Sequence, residues 1–311
     1  MSINNISPAL FTILNLDNAK KHLEEKGYVV FKDILNNEER QVFLQLFLND
    51  MKKVSPNFDM YNSDTWVIKN FPGMFGKGMC VFNNIGQSDF MWNLRTNSTI
   101  QNIYKNILQC DELVTSFDGC SMFYSNKQQT KSWLHIDQNP KNKIKSFQSS
   151  YNYYQVTDKS SGFVIVPGSH KTYTPNIKSN KDWVMLSADK EYNGEYDNQV
   201  VKLCIPSNCL TIWSSRLIHA NKGMDKNYIN TSIDRLTCYI TYLDKKERSD
   251  EILKKRLEGY LNGTTTSHWA NKYEPKKYPF GFKKHHESKN LGNIIPKLLN
   301  EMIPSERLKL I

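Results

Sequence analysis

Two residues apart in the stretch WLHIDQ stand a histidine and an aspartate, His135 and Asp137. On an extended strand such a pair projects to the same side, so an imidazole and a carboxylate reach toward one point. In a chain with seven histidines and 31 acidic residues such pairs also arise by chance, so the pattern gains meaning only from its company. A second histidine, His219, ends the run IWSSRLIH, and an arginine, Arg235, opens the apolar run RLTCYITYL. An arginine leading an apolar strand is costly to bury alone, and its fork of donors suits a carboxylate partner, from the protein or from a ligand. Two imidazoles and one carboxylate are the donor set of the facial triad that holds Fe(II) and leaves positions open for a bidentate 2-oxo acid and for dioxygen. Zinc is the alternative. It ordinarily takes three protein ligands and one water, and it offers no comparable reason for the arginine.

The elements that must position these groups follow from the pattern of apolar residues. From about residue 114, short β-branched and aromatic runs succeed one another: LVTSFDGCSMFY, WLHIDQ, SFQSSYNYYQV, GFVIVPG, QVVKLCIP, CLTIWSS and RLTCYITYL. Turn-forming residues separate them and no helical pattern intervenes, which predicts a β-sandwich or jelly-roll barrel. In the last run, alternation puts Arg235, Thr237, Tyr239 and Thr241 on one face and Leu236, Cys238, Ile240 and Tyr242 on the other. Residues 17–54 read as helical, interrupted by a short strand in GYVVFKDI (27–34). Within them Val42, Phe43, Leu46, Phe47, Met51 and Val54 recur at helical spacing behind an Asn cap. TIQNIYKNILQ (99–109) predicts a further helix and SDEILKKRLEGYLNG a last one, with Gly263 past its end. The expected organisation is a single domain over 1–311: a helical and mixed segment 1–113, a β core 114–245, and a helix with a basic tail 246–311.

Composition bounds the class. Apolar residues at 39 % and charged residues at 23 % suit a globular chain, and 12 % aromatics suit a strand-rich core. No apolar run approaches the roughly 20 residues of a membrane span. MSINNISPALFTILNLDNAKKH lacks the basic start and sustained apolar stretch of a signal peptide, so a cytoplasmic protein is expected. The six cysteines show no CxxC or zinc-type spacing and read as reduced thiols. The net charge of +10 admits an anionic partner, nucleic acid included, and the Lys- and aromatic-bearing tail 271–289 is compatible with one. Abundant Asn and the excess of Lys over Arg equally fit the drift of an AT-rich coding sequence.

In order along the chain, WLHIDQ, SGFVIVPGSHK (161–171), IWSSRLIHANKG (212–223) and RLTCYITY resemble the phytanoyl-CoA dioxygenase family of Fe(II)/2-oxoglutarate oxygenases. GYVVFKDIL resembles that family's opening segment, and the likeness runs from about residue 24 to 245. The resemblance implies a mainly β fold with flanking helices around a double-stranded β-helix (jelly-roll, cupin-like) core. It implies hydroxylation of a small-molecule or acyl substrate, coupled to decarboxylation of 2-oxoglutarate to succinate, with Fe(II) and O2. Carried over residue by residue, it implies His135, Asp137 and His219 as the catalytic metal ligands. Arg235 would pair with the distal carboxylate of 2-oxoglutarate, Asn221 would lie near that carboxylate, and Tyr151 would be an aromatic in contact with the co-substrate. Two departures stand out: GMDKNYINTSID lengthens the gap between His219 and Arg235, and Ser161 replaces the first glycine of a usual pair. Asp137 is the carboxylate that halogenating relatives lack, which favours hydroxylation. His170 reads as a turn-stabilising side chain, and His268, His285 and His286 as surface or packing histidines. Competing readings are the same chemistry on a protein side chain or nucleic-acid base, and a non-catalytic jelly-roll binding module. Substrate choice is expected to lie in loops 59–92, 138–148 and 171–198.

Overall fold

The structure, a computed structural model, describes residues 3–72, 74–75, 78–124, 133–172, 177, 179–186, 196, 198–229, 232–276 and 303–311. The strands in chain order are β1 (Asn4–Ile6), β2 (Leu10–Phe11), β3 (Tyr28–Phe31), β4 (Met74–Phe75), β5 (Met79–Cys80), β6 (Leu113–Thr115), β7 (Cys120–Phe123) and β8 (His135–Ile136). They continue as β9 (Phe147–Asn152), β10 (Gly162–Ile165), β11 (Val184–Met185), β12 (Val201–Leu203), β13 (Cys209–Ser214), β14 (His219–Lys222) and β15 (Arg235–Asp244). The helices are α1 (Leu16–Lys26), α2 (Asn37–Val54), α3 (Asp89–Thr96), α4 (Ser98–Leu108), the single turn α5 (Ser169–Thr172), α6 (Asp250–Leu261) and the single turn α7 (Ser305–Leu308).

Two sheets face each other. The larger runs β2-β3-β13-β9-β15-β7-β5-β4, with β6 also paired to β15; the smaller runs β1-β12-β10-β14-β8-β11. Along the chain β7, β9, β13 and β15 go to the larger sheet and β8, β10, β12 and β14 to the smaller. The central neighbours pair antiparallel. This is the double-stranded β-helix. The segment before residue 114 is not only helical: β3 pairs with β13 and β1 with β12, extending both sheets.

Alternation along each strand assigns the faces. Leu236, Cys238, Ile240 and Tyr242 of β15, with Tyr151, Leu210 and Ile212 of its neighbours, face outward against Phe43, Phe47 and Met51 of α2, Phe90 of α3 and Ile103 of α4. Burying each such side chain contributes about 1.5–3 kcal/mol, so this helix layer fixes the larger sheet. Inside the barrel, Val30, Phe163, Ile165, Leu203 and Trp213 fill one end. Leu134, Ile136, Ile218 and Ala220 point out of the smaller sheet into a separate cluster, which turns their neighbours in sequence, His135 and His219, inward.

The helix caps follow the sequence. Asn36 Oδ1 accepts from Glu39 N at 2.9 Å, and Glu39 Oε2 accepts from Asn36 N at 2.8 Å, closing a capping box on α2. Ser249 Oγ accepts from Ile252 N to cap α6, and Gly263 takes φ 70° beyond it. The predicted apolar face of α2 is rotated slightly: Val42 is exposed and Leu46 only partly covered. In their place Asp50 is buried, because its Oδ2 accepts from Asp89 N (2.7 Å) and Phe90 N (3.2 Å) at the start of α3 while Lys53 Nζ donates to Oδ1 (2.8 Å). One side chain thus locks two helices of the layer. Asp50→Ala leaves both α3 amides without their acceptor and is expected to cost about 1–3 kcal/mol. A lowered midpoint in urea denaturation at unchanged slope checks it.

Candidate metal centre

The pairing of β8 with β14 sets His135 directly opposite His219. Each imidazole is fixed by the main chain of its own segment. His135 Nδ1 lies 2.9 Å from Trp133 O, and His219 Nδ1 lies 2.8 Å from Leu217 O. A carbonyl can only accept, so Nδ1–H donates in both rings and each Nε2 is the nitrogen turned toward the cluster. Aromatic rings hold the planes: Trp133 stacks on His135 at 4.5 Å and 21°, while Trp213 and Phe163 each lie 5.5 Å from His219.

Asp137 completes the cluster. Its main-chain N donates to Ser215 O at 3.0 Å, tying it to the turn that leads into β14. Gln148 Nε2 donates to Asp137 Oδ2 at 2.9 Å. His219 Nε2 sits 3.1 Å from Oδ2 and His135 Nε2 3.7 Å from Oδ1, and one donor atom from each residue falls within 4.8 Å of the others. Burial pushes the Asp137 carboxyl up, but His135, His219 and His268 outweigh it and hold it well below the usual carboxylate range. Two imidazole Nε2 atoms and a carboxylate therefore converge, a donor set that a cation would satisfy together. The donor set and the fixed tautomers fit a divalent transition metal.

Arg235 lies beyond this cluster, fully inside the fold, and among the described residues it forms no ion pair. Its Nε donates to Thr237 Oγ1 (2.8 Å), which in turn donates to Asn152 Oδ1 (2.8 Å). One terminal nitrogen donates to Asn221 Oδ1 (2.9 Å), while Asn221 Nδ2 donates to Tyr239 Oη (2.8 Å) and Tyr239 meets Ser121 Oγ at 2.7 Å. The adjacent Asp234 turns away, accepting from the amide and hydroxyl of Ser161. The lengthened loop before β15 thus leaves Arg235 on the inward face.

A cavity of about 650 Å³ opens onto the cluster, lined by His135, Asp137, His219, Gln148, Asn221 and Tyr239 at its floor. Tyr151 is not brought here. Gln148, Ser150 and Asn152 hold the inward positions of β9, so alternation sends Tyr151 outward, edge-on to Phe43 at 5.5 Å with its hydroxyl on Asn208 Oδ1. His268 differs from its surface or packing assignment by lining the cavity, with Nε2 buried and lacking a hydrogen-bond partner among the described residues. His170 holds the turn after β10 by placing Nε2 3.0 Å from Glu24 O. His285 and His286 lie outside the described residues, as does most of the basic tail. Gln148 escaped the sequence reading although SFQSSYNYYQV carries its signal, a polar side chain at every second position. His268 and Asp118 gave none, since only the tertiary fold brings their segments to the cavity.

No family model matches the chain. Ava biosynthesis cluster protein O of Aspergillus versicolor is 21 % identical over 275 residues, spanning 80 % of this chain and 85 % of its own. The solved structure of SnoK, a non-heme alpha ketoglutarate dependent carbocyclase from nogalamycin biosynthesis, superposes with a TM-score of 0.51 at 15 % identity, covering 73 % of this chain and 83 % of its own. The epimerase SnoN, solved with Fe3+, alpha ketoglutarate and nogalamycin RO, gives 0.52 at 16 % identity over 74 % and 84 %. EctD from S. alaskensis with bound Fe gives 0.52 at 15 % identity over 75 % and 78 %. At these identities the likeness is one of architecture: the chain has the double-stranded β-helix fold of these iron- and α-ketoglutarate-linked enzymes.

Proposed function

We propose that the protein is an Fe(II)- and 2-oxoglutarate-dependent oxygenase of the phytanoyl-CoA dioxygenase-like kind. It hydroxylates a small molecule while 2-oxoglutarate is decarboxylated to succinate. The observation that carries this reading is the convergence of two imidazoles and a carboxylate, together with a buried arginine that is hydrogen-bonded to Asn221 and has no ion-pair partner among the described residues. The site residues are His135, Asp137 and His219 as metal ligands and Arg235 with Asn221 as the co-substrate pocket. The reading treats 1–311 as one oxygenase domain whose flanking segments support the barrel. No described helix is long and apolar enough to cross a membrane, and the six free thiols support a reducing, cytoplasmic setting.

Fe(II) held there supplies a redox centre with open positions for a 2-oxo acid and for dioxygen. The chain's own residues do the rest. Asp137 offsets one unit of metal charge, and Gln148 holds that carboxylate in place. The carbonyls of Trp133 and Leu217 keep Nε2 of each histidine free for the metal. Arg235 offers its guanidinium to the distal carboxylate of 2-oxoglutarate, with Asn221, Tyr239 and Ser121 fixing the approach. The cavity is the size of small-molecule sites, which favours such a substrate over a macromolecule.

Anaerobic titration tests the metal assignment. Wild type should take up one Fe(II) and, with 2-oxoglutarate, develop a weak visible charge-transfer band; His135→Ala and His219→Ala should lose both, and Asp137→Ala should lose succinate-coupled turnover. Unchanged iron stoichiometry in the two histidine variants rejects the ligand set. Arg235→Ala separates the co-substrate pocket from the metal. Removing a charge-assisted pair from a buried site costs about 2–5 kcal/mol, so 2-oxoglutarate affinity should fall roughly 30- to several-thousand-fold while iron affinity barely moves. Calorimetric titration of each ligand in turn reads the two effects independently.

A further inference from the structure

We propose that Asp118 is the counter-ion for a protonated amine on the prime substrate, so that the cavity takes an apolar ring system bearing one basic nitrogen. This rests on the oxygenase reading above and specifies which molecule that site holds.

The walls above the metal cluster are apolar and mostly aromatic or thioether: Phe82, Trp133, Phe163, Trp183, Trp213 and Met185. Trp183 is 46 % exposed, an unusual state for an indole, and its ring lies 5.8 Å from that of His135 at the lip of the cavity. Such a surface stacks on a flat ring. Into it the segment between β6 and β7 introduces one acid. Asp118 lines the cavity, with Oδ1 accepting from Gly119 N at 2.8 Å and its main-chain carbonyl held by Arg95 at 2.7 Å. Among the described residues, no donor reaches Oδ2 and no cation forms an ion pair with the carboxylate.

Asp118 is partly exposed at the cavity wall and its carboxylate forms no ion pair among the described residues, so a site that pairs it with ligand charge there gains on binding. Burial pushes the Asp118 carboxyl up, in keeping with poor solvation of its charged form. Lys276 also lines the cavity and acts on Asp118, but it is solvent-exposed and outside ion-pair contact, so water and salt screen it. Arg95 donates to main-chain carbonyls and is similarly not a partner of the carboxylate. His268 lines the same cavity and also acts on Asp118, but burial disfavours its charged form. Among the described residues no strong cation therefore claims the carboxylate, which suits a cation brought by the substrate, stacked by its ring on the indoles and anchored by its nitrogen.

The test uses protein loaded with Ni(II) and 2-oxoglutarate and two matched probe pairs: tryptamine with tryptophol, and 2-(1-naphthyl)ethylamine with its alcohol. Calorimetry or ligand-observed NMR gives the affinities. Each amine should bind about tenfold or more tighter than its alcohol, the scale of a partly desolvated ion pair. Asp118→Asn should abolish that preference, Asp118→Glu should retain part of it, and Lys276→Met should keep or increase it. Nickel and 2-oxoglutarate affinities should stay at wild-type values in all three. Equal binding within each pair, no binding by either amine, or a preference that survives Asp118→Asn overturns the proposal. Failure of the unsubstituted protein to bind 2-oxoglutarate overturns the oxygenase reading instead, and the two failures are read from separate titrations.

Discussion

The antiparallel contact between β8 and β14 is the constraint on which the site depends. It is short, with His135 opposite His219 as its paired position. Because side chains alternate along a strand, a slip of either strand by one residue would send its imidazole into the outer apolar cluster and bring Ile136 or Ala220 inside. The register is held from both directions: Met185 of β11 pairs with His135 on one side, and Ile165 of β10 pairs with His219 on the other. The outward residues Leu134, Ile136, Ile218 and Ala220 reinforce it by burial.

The larger sheet serves the site differently. Its outward face is apolar and bonded to helices, whereas its inward face is a polar ladder: Gln148 and Asn152 on β9, Arg235, Thr237 and Tyr239 on β15, and Ser121 on β7. Its members bond one another, and among the described residues Arg235 spends only two of its five donors, on Thr237 and Asn221, which leaves the rest of the buried guanidinium for a carboxylate. The helix layer supplies the stability that such a polar interior does not, which is why a buried aspartate joining α2 to α3 matters to a site on the far side of the sheet.

Much of this was legible in the sequence because strand alternation is a local property. The two faces of RLTCYITYL, the shared direction of His135 and Asp137, and the helices over 37–54 and 98–108 all follow from spacing within one segment. Tyr151 was misplaced by counting from Gly162 across a loop: the count ignored the inward polar residues of its own strand, which fix its direction more strongly. Val42 was misplaced because helical periodicity cannot foresee that Asp50 has a partner at the next helix. His268 and Asp118 were illegible for a third reason. Their segments meet the cavity only through long-range ties such as Thr266 N to Phe117 O, and no local pattern records those.

The anchoring of both imidazoles to main-chain carbonyls, rather than to carboxylate or amide side chains, has an evolutionary consequence. A carbonyl is present whatever residue occupies the position, so the orientation of the two nitrogen ligands asks little of the surrounding sequence beyond strand geometry and two flanking rings. Substitutions in the cavity wall away from Trp133, Phe163 and Trp213 can then accumulate without disturbing the ligand frame, so selection on substrate acts on a different part of the wall from selection on the metal. Asp137 is steadied by a side-chain hydrogen bond from Gln148, which makes that pair a point where drift in one residue constrains drift in another.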